Sequence, residues 1–92
     1  MNDMKEIIDF QEQKFLKMVE QICAHPYLYL NFDTVADFYQ AEWVQSLPET
    51  YQYCCIGLDD GAEYFSISIQ FKQHRLLAHI AEQIDVQYRC EK

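Results

Sequence analysis

The run Glu63-Tyr64-Phe65-Ser66-Ile67-Ser68-Ile69-Gln70-Phe71 constrains the fold more than any other stretch. Phe65, Ile67, Ile69 and Phe71 alternate with Tyr64, Ser66, Ser68 and Gln70, so one set faces one side of a β-strand and the other set faces the opposite side. Aromatic and β-branched residues pack well on such a pleated surface. The strand needs a neighbour, and the preceding run from Tyr51 to Leu58, rich in Tyr, Cys and Ile, supplies one. Asp59-Asp60-Gly61 lies between them, and an Asp-Gly pair tolerates the positive φ of a tight turn. An antiparallel hairpin is expected. Gly57, inside the first strand, points to a bulge or a close approach.

Helical patterns surround the hairpin. Asp3 with Glu6 reads as a capping box, with Asp in place of Ser or Thr. A helix is predicted from there to about Cys23. Met4, Ile7, Ile8, Phe15, Met18, Val19 and Ile22 share one side at 100° per residue, while Phe10 falls among the polar residues. His25 precedes Pro26 and should mark the boundary. Tyr27-Leu28-Tyr29-Leu30 reads as an irregular connection on the core. A second helix is predicted from Asp33 or Thr34 to Leu47, with Val35, Ala36, Tyr39, Trp43 and Leu47 as its core stripe and Phe38 off it. Either this helix lies between two layers or Phe38 marks a contact surface. Gln73 to Ile84 follows helical spacing through Leu76, Leu77, Ile80, Ala81 and Ile84, and Val86, Tyr88 and Cys90 alternate as a short final strand. The expected architecture is therefore α+β, one domain over residues 1–92. Its elements run α-α-β-β-α-β, with a three-stranded sheet carrying helices and a right-handed crossover if the last two strands run parallel.

Half of the 92 residues are hydrophobic and 15% are aromatic, enough for one compact core. No basic stretch followed by an apolar run opens the sequence, and no apolar run approaches the roughly 20 residues that span a bilayer. The expectation is a soluble cytoplasmic protein whose four cysteines, Cys23, Cys54, Cys55 and Cys90, are reduced and serve as small buried hydrophobes.

Several chemistries lack their residues. There is no Cys-x-x-Cys, Cys54 and Cys55 point to opposite faces of a strand, and His74 and His79 are badly spaced for one helical face, so no metal site is expected. Gly57 and Gly61 are the only glycines, which leaves no phosphate-cradling loop. No nucleophile-base signature surrounds any cysteine, and Asp59 and Asp60 suit a turn for backbone reasons. Neither an enzyme nor a cofactor is expected.

The charge layout carries the functional expectation. Net charge is −8, with seven basic residues against fifteen acidic ones, which disfavours nucleic acid and anionic membranes as partners. Between Lys17 and Lys72 there is no lysine or arginine, but there are eight acids: Glu20, Asp33, Asp37, Glu42, Glu49, Asp59, Asp60 and Glu63. Such a surface either keeps a small protein in solution or meets a basic partner protein. On the second reading Asp33, Asp37, Glu42, Asp59, Asp60 and Glu63 supply charge, and Phe38 and Tyr64, with Tyr29 and Trp43, supply aromatic anchors. In size and charge the chain resembles small acidic immunity or antitoxin proteins. The resemblance implies an inhibitor that occludes the cationic surface of a basic protein such as a nuclease toxin. The competing expectation is a homodimeric structural or adaptor module, motivated by the wide apolar arc of the second helix and by Phe10. A small enzyme with a cysteine nucleophile is a third alternative.

Overall fold

A computed structural model describes residues 10–57 and 64–91 of the chain. Four short helices precede four strands: α1 (Phe10–Ala24), α2 (Pro26–Tyr29), α3 (Val35–Gln40), α4 (Glu42–Gln45), then β1 (Gln52–Gly57), β2 (Phe65–Phe71), β3 (His74–Ile80) and β4 (Ile84–Cys90). The strands form one antiparallel sheet in the order β1-β2-β3-β4.

This corrects the expected three-stranded sheet. The segment read as a third helix is β3, and β4 runs antiparallel to it, so there is no crossover. Leu76, Leu77 and Ile80 fit helical spacing, but His74, Leu76, Ala78 and Ile80 also alternate, and all four are buried against the helices. The partner decides between the two periods. Phe65, Ile67, Ile69 and Phe71 form an apolar row that β3 extends residue for residue, Ile69 opposite Leu76 and Ile67 opposite Ala78. Cross-strand packing of that kind outweighs the helix preference of Leu and Ala. The two strands are joined by Lys72-Gln73, with Lys72 held at φ 55°. This left-handed conformation costs a non-glycine residue roughly 1–2 kcal/mol.

In α1, Phe15, Val19 and Ile22 share a face, and all three are buried. Phe10 stays on the surface, 70% exposed, with the Lys14 Nζ 5.5 Å from its ring centre. The expected capping box at Asp3 and Glu6, and the Asp59-Asp60-Gly61 turn, lie outside the described residues. Pro26 opens α2, a single turn where an irregular connection was expected. Thr34 caps α3: its hydroxyl accepts from the Asp37 N–H at 3.1 Å, and the Asp37 carboxylate accepts from the Thr34 N–H at 3.1 Å.

The predicted second helix is broken. Ala41 is extended (φ −62°, ψ 138°) and separates α3 from α4. The break changes which side faces inward. Phe38 becomes fully buried and Val44 nearly so, while Ala36 and Tyr39 of the expected stripe are exposed. Phe38 sits edge-on to Phe32, Tyr39 and Trp43, with centroid distances of 5.6, 5.1 and 6.1 Å. Such edge-to-face pairs add stabilisation beyond area burial. The Tyr39 hydroxyl in turn accepts from the Cys55 N–H at 3.0 Å, which fastens α3 to the outer edge of β1.

All the helices described lie on one face of the sheet, where the core is, and no described element covers the opposite face. Across it run Cys54, Ser68, Leu77 and Gln87 in one row and Gln52, Gln70, Arg75 and Arg89 in another. The β1–β2 register is unbroken through Gly57, and a Cβ there would meet only Val35 at an ordinary 3.7 Å, so neither a bulge nor close packing explains this glycine.

Candidate functional site

The sequence-derived contact set divides once placed in space. Asp33 and Glu42 are exposed, and Asp37 is half-buried. Asp33 and Asp37 come together because the Asp33 N–H donates to the Asp37 carboxylate at 3.2 Å. Phe38 has no exposed surface and cannot act as an anchor, because the Ala41 break turns it into the core. Trp43 and Tyr29 pack edge-on, 5.9 Å apart, and the Trp43 indole N–H donates to the Tyr29 carbonyl at 3.2 Å, so both are engaged within the fold. Tyr64 is 37% exposed at the start of β2. Asp59, Asp60 and Glu63 lie outside the described residues. The ion pairs among the described residues are Glu12 with His74 and Arg75 with Glu91. Within that set, Glu20, Asp33, Asp37, Glu42 and Glu49 have no cationic partner.

Asp33 also lines a cleft of about 630 Å³ between the α2–α3 connection and the β3–β4 turn. Leu30, Phe65 and Ile80 form its floor and are 0%, 1% and 6% exposed. Tyr27, at 59% exposure, stands at its rim. Glu82, in the turn after β3, adds a second carboxylate to the lining. The cleft thus combines an apolar floor, an aromatic rim and two carboxylates that no cation among the described residues pairs. A lysine or arginine side chain fits that chemistry, with its aliphatic stem on the floor, its head at the carboxylates and the tyrosine ring beside it. Glu82 and Ile84 were not recognised in sequence because their wall depends on the β3–β4 turn, where a helix was expected. Ala81-Glu82-Gln83 carries no Gly, Pro, Asn or Asp to announce a turn.

A second polar cluster lies inside the helix-covered face. His74 is 7% exposed, with Nδ1 2.6 Å from the Tyr88 hydroxyl and Nε2 3.0 Å from the Glu12 carboxylate. Burial pushes the Tyr88 phenol above its ordinary range, helped by the neighbouring Cys90 and by the Glu12 charge. In the neutral imidazole a protonated phenol donates to Nδ1, and the ring proton on Nε2 is then donated to Glu12. The Gln73 side chain donates to the same carboxylate at 3.4 Å. Phe15 flanks the imidazole at 5.9 Å. Every member has a partner, and together they tie α1 to β3 and β4. A buried polar group is tolerated on those terms, and the arrangement is that of a structural tether.

The cysteines depart from expectation. Cys55 alone is buried, and burial, with Cys54 next to it, pushes its thiol up. Cys23, Cys54 and Cys90 are exposed. Among the described residues no three His, Cys, Asp or Glu side chains come together in a metal-binding arrangement, and no helix is long and apolar enough to cross a membrane.

Comparison with known protein families, curated proteins and solved structures finds no match.

Proposed function

We propose that this protein is a small acidic binding protein that neutralises a basic partner protein by occluding its cationic surface, as an immunity or antitoxin protein does. One observation carries the reading. Asp33 and Glu82, neither held by a cation among the described residues, line one cleft over a floor of Leu30, Phe65 and Ile80. A protein surface that leaves carboxylates unpaired beside apolar lining is matched by a partner bringing positive charge and an aliphatic stem together. Asp37 and Glu42 extend the negative field from α3 and α4 and steer encounter, and Tyr27 serves as the aromatic contact in place of Phe38. The proposed site of action is the cytoplasm, where the exposed thiols stay reduced.

The test is a titration of the folded protein with short basic peptides pairing Lys or Arg with an apolar neighbour, followed by a capture experiment at low salt from the native host. The expected result is binding that shifts the resonances of Asp33, Glu82 and Tyr27, with an association rate that falls as salt rises. Reversing both charges (Asp33→Lys with Glu82→Lys) should lower that rate by about 10-fold or more. A partner whose association ignores both salt and the reversal would refute the proposal.

A further inference from the structure

The two edges of the sheet are treated differently. On β1 the Cys55 N–H points outward and is occupied by the Tyr39 hydroxyl at 3.0 Å. On β4 no such plug is present among the described residues. The Glu91 N–H donates to the Gln73 carbonyl, and the Ala81 N–H to the Gln83 carbonyl. With the β3–β4 register, these bonds show that odd-numbered residues of β4 face β3. Ile84, Val86, Tyr88 and Cys90 therefore turn their N–H and C=O groups to the open side. β4 is seven residues long and contains no proline. Its side facing the helices is also poorly covered, with Ile84 and Val86 half-buried and Tyr88 39% exposed. Natural sheets usually blunt such an edge.

The sequence of β4 is complementary to itself when reversed about Gln87. An antiparallel pairing of two β4 strands centred there sets Asp85 opposite Arg89, Val86 opposite Tyr88 and Ile84 opposite Cys90, each twice by symmetry. The backbone parity agrees. The outward-facing Val86 and Tyr88 become a hydrogen-bonded pair, as do Ile84 and Cys90. Asp85 and Arg89 then fall in the non-hydrogen-bonded pair, where side chains are closest. Both charges are exposed, and neither has an ion-pair partner among the described residues. Within one chain Arg89 instead stands opposite another cation, Arg75, an unfavourable cross-strand pair. A second copy supplies the carboxylate that its own sheet does not.

We propose that β4 pairs antiparallel with β4 of a second copy about Gln87, giving a two-fold dimer with a continuous eight-stranded sheet. The motive is independent of the acidic cleft and of the apolar arc first assigned to the second helix, since Phe38 is spent in the core. An isologous contact of this kind closes on itself, so it makes a dimer and leaves the two β1 edges, each plugged by Tyr39, at the ends.

The experiment measures mass by sedimentation equilibrium across a concentration series, on the wild type and three variants. Wild type should show a monomer–dimer equilibrium. Arg89→Asp should weaken it by about 10-fold or more, because two attractive pairs become two repulsive ones. That substitution places an acid opposite Arg75 in its own sheet, so loss of the fold is not the expected cause; circular dichroism checks this. Adding Asp85→Arg to Arg89→Asp should restore the wild-type constant to within about 3-fold. Val86→Pro removes an outward N–H that no described residue accepts and should give a monomer with its sheet intact. A wild type that stays monomeric at every concentration overturns the proposal. So does a dimer indifferent to Arg89→Asp, or one that the double exchange fails to rescue.

Discussion

The β1 side and the β4 side of the sheet are anchored by different physics. On the β1 side Phe38 and Tyr39 of α3 and Trp43 of α4 meet Phe32 and Tyr53 in an aromatic cluster, and the Tyr39 hydroxyl closes the strand edge. On the β4 side α1 is tied down by a three-member hydrogen-bond chain, Glu12–His74–Tyr88, and no described residue closes the edge. Apolar burial is non-directional and grows with area, so the first side does not depend on the exact placement of any one polar atom. A polar tether is directional, and removing one member leaves its neighbour buried and unsatisfied. Two helical anchors on one sheet thus fail in different ways.

Substitutions on each side separate these modes. Phe38→Ala should have the largest effect, about 3–5 kcal/mol lost in urea unfolding, because a fully buried ring leaves a cavity against Phe32 and Trp43. A loss below about 1 kcal/mol would mean that the cluster collapses to fill the space. Glu12→Ala comes next, at about 1–3 kcal/mol, since the buried His74 Nε2 loses its acceptor. Gln at position 12 should recover part of that loss, by keeping an oxygen in reach without the charge, and no recovery would argue against a hydrogen-bonded tether. Tyr39→Phe should cost about 0.5–1.5 kcal/mol and selectively speed hydrogen exchange of the Cys55 amide. Unchanged exchange there would remove the claimed difference between the two edges.

The smallest effect is a graded loss of stability in alkali. Burial makes Cys55, Tyr51 and Tyr88 weaker acids, lifting their pKa values above the ordinary 9.0 of the thiol and 10.0 of the phenols. The folded chain therefore holds these protons more tightly than the unfolded chain does. The associated stability is intact below those ordinary values and declines as pH rises through the raised folded ones. Melting temperature should fall first near the thiol value. Cys55→Val should delay that onset on the β1 side, and Tyr88→Phe should flatten the later part on the β4 side. An alkaline melting curve that neither substitution alters would place the titrating groups elsewhere.

These contrasts also explain what could be seen in the sequence. β2 was legible because Phe65, Ile67, Ile69 and Phe71 alternate without exception, and the inner face of α1 because Phe15, Val19 and Ile22 recur at helical spacing. β3 was not. Its turn uses Lys72 at φ 55° where glycine or asparagine would have signalled a hairpin, and its apolar residues satisfy two periods at once. Only the neighbouring strand resolves that ambiguity. The break at Ala41 was equally hidden, since alanine is a strong helix former and is extended there so that Phe38 and Val44 both reach the core. For the site, Asp33 was legible as unpaired charge. Glu82 was not, because it joins the cleft only once the β3–β4 turn exists.

The placement of the thiols has a practical consequence. Cys54 lies on the face of β1 away from the described helices and Cys55 on the other, while Cys90 sits three strands away, more than about 14 Å at the usual strand spacing. Cys23 is eleven positions along α1 from Glu12, the residue that meets the His74 end of β3, and so is roughly 16 Å from it. A disulfide needs α-carbons within about 7 Å, so Cys54 and Cys90 cannot bridge within one chain. Between molecules, the exposed Cys23, Cys54 and Cys90 are the thiols that oxidation can join. In the antiparallel β4 pairing the two Cys90 thiols lie at opposite ends of the seam, so a covalent dimer appearing without reductant would report random collision and say nothing about the paired strands.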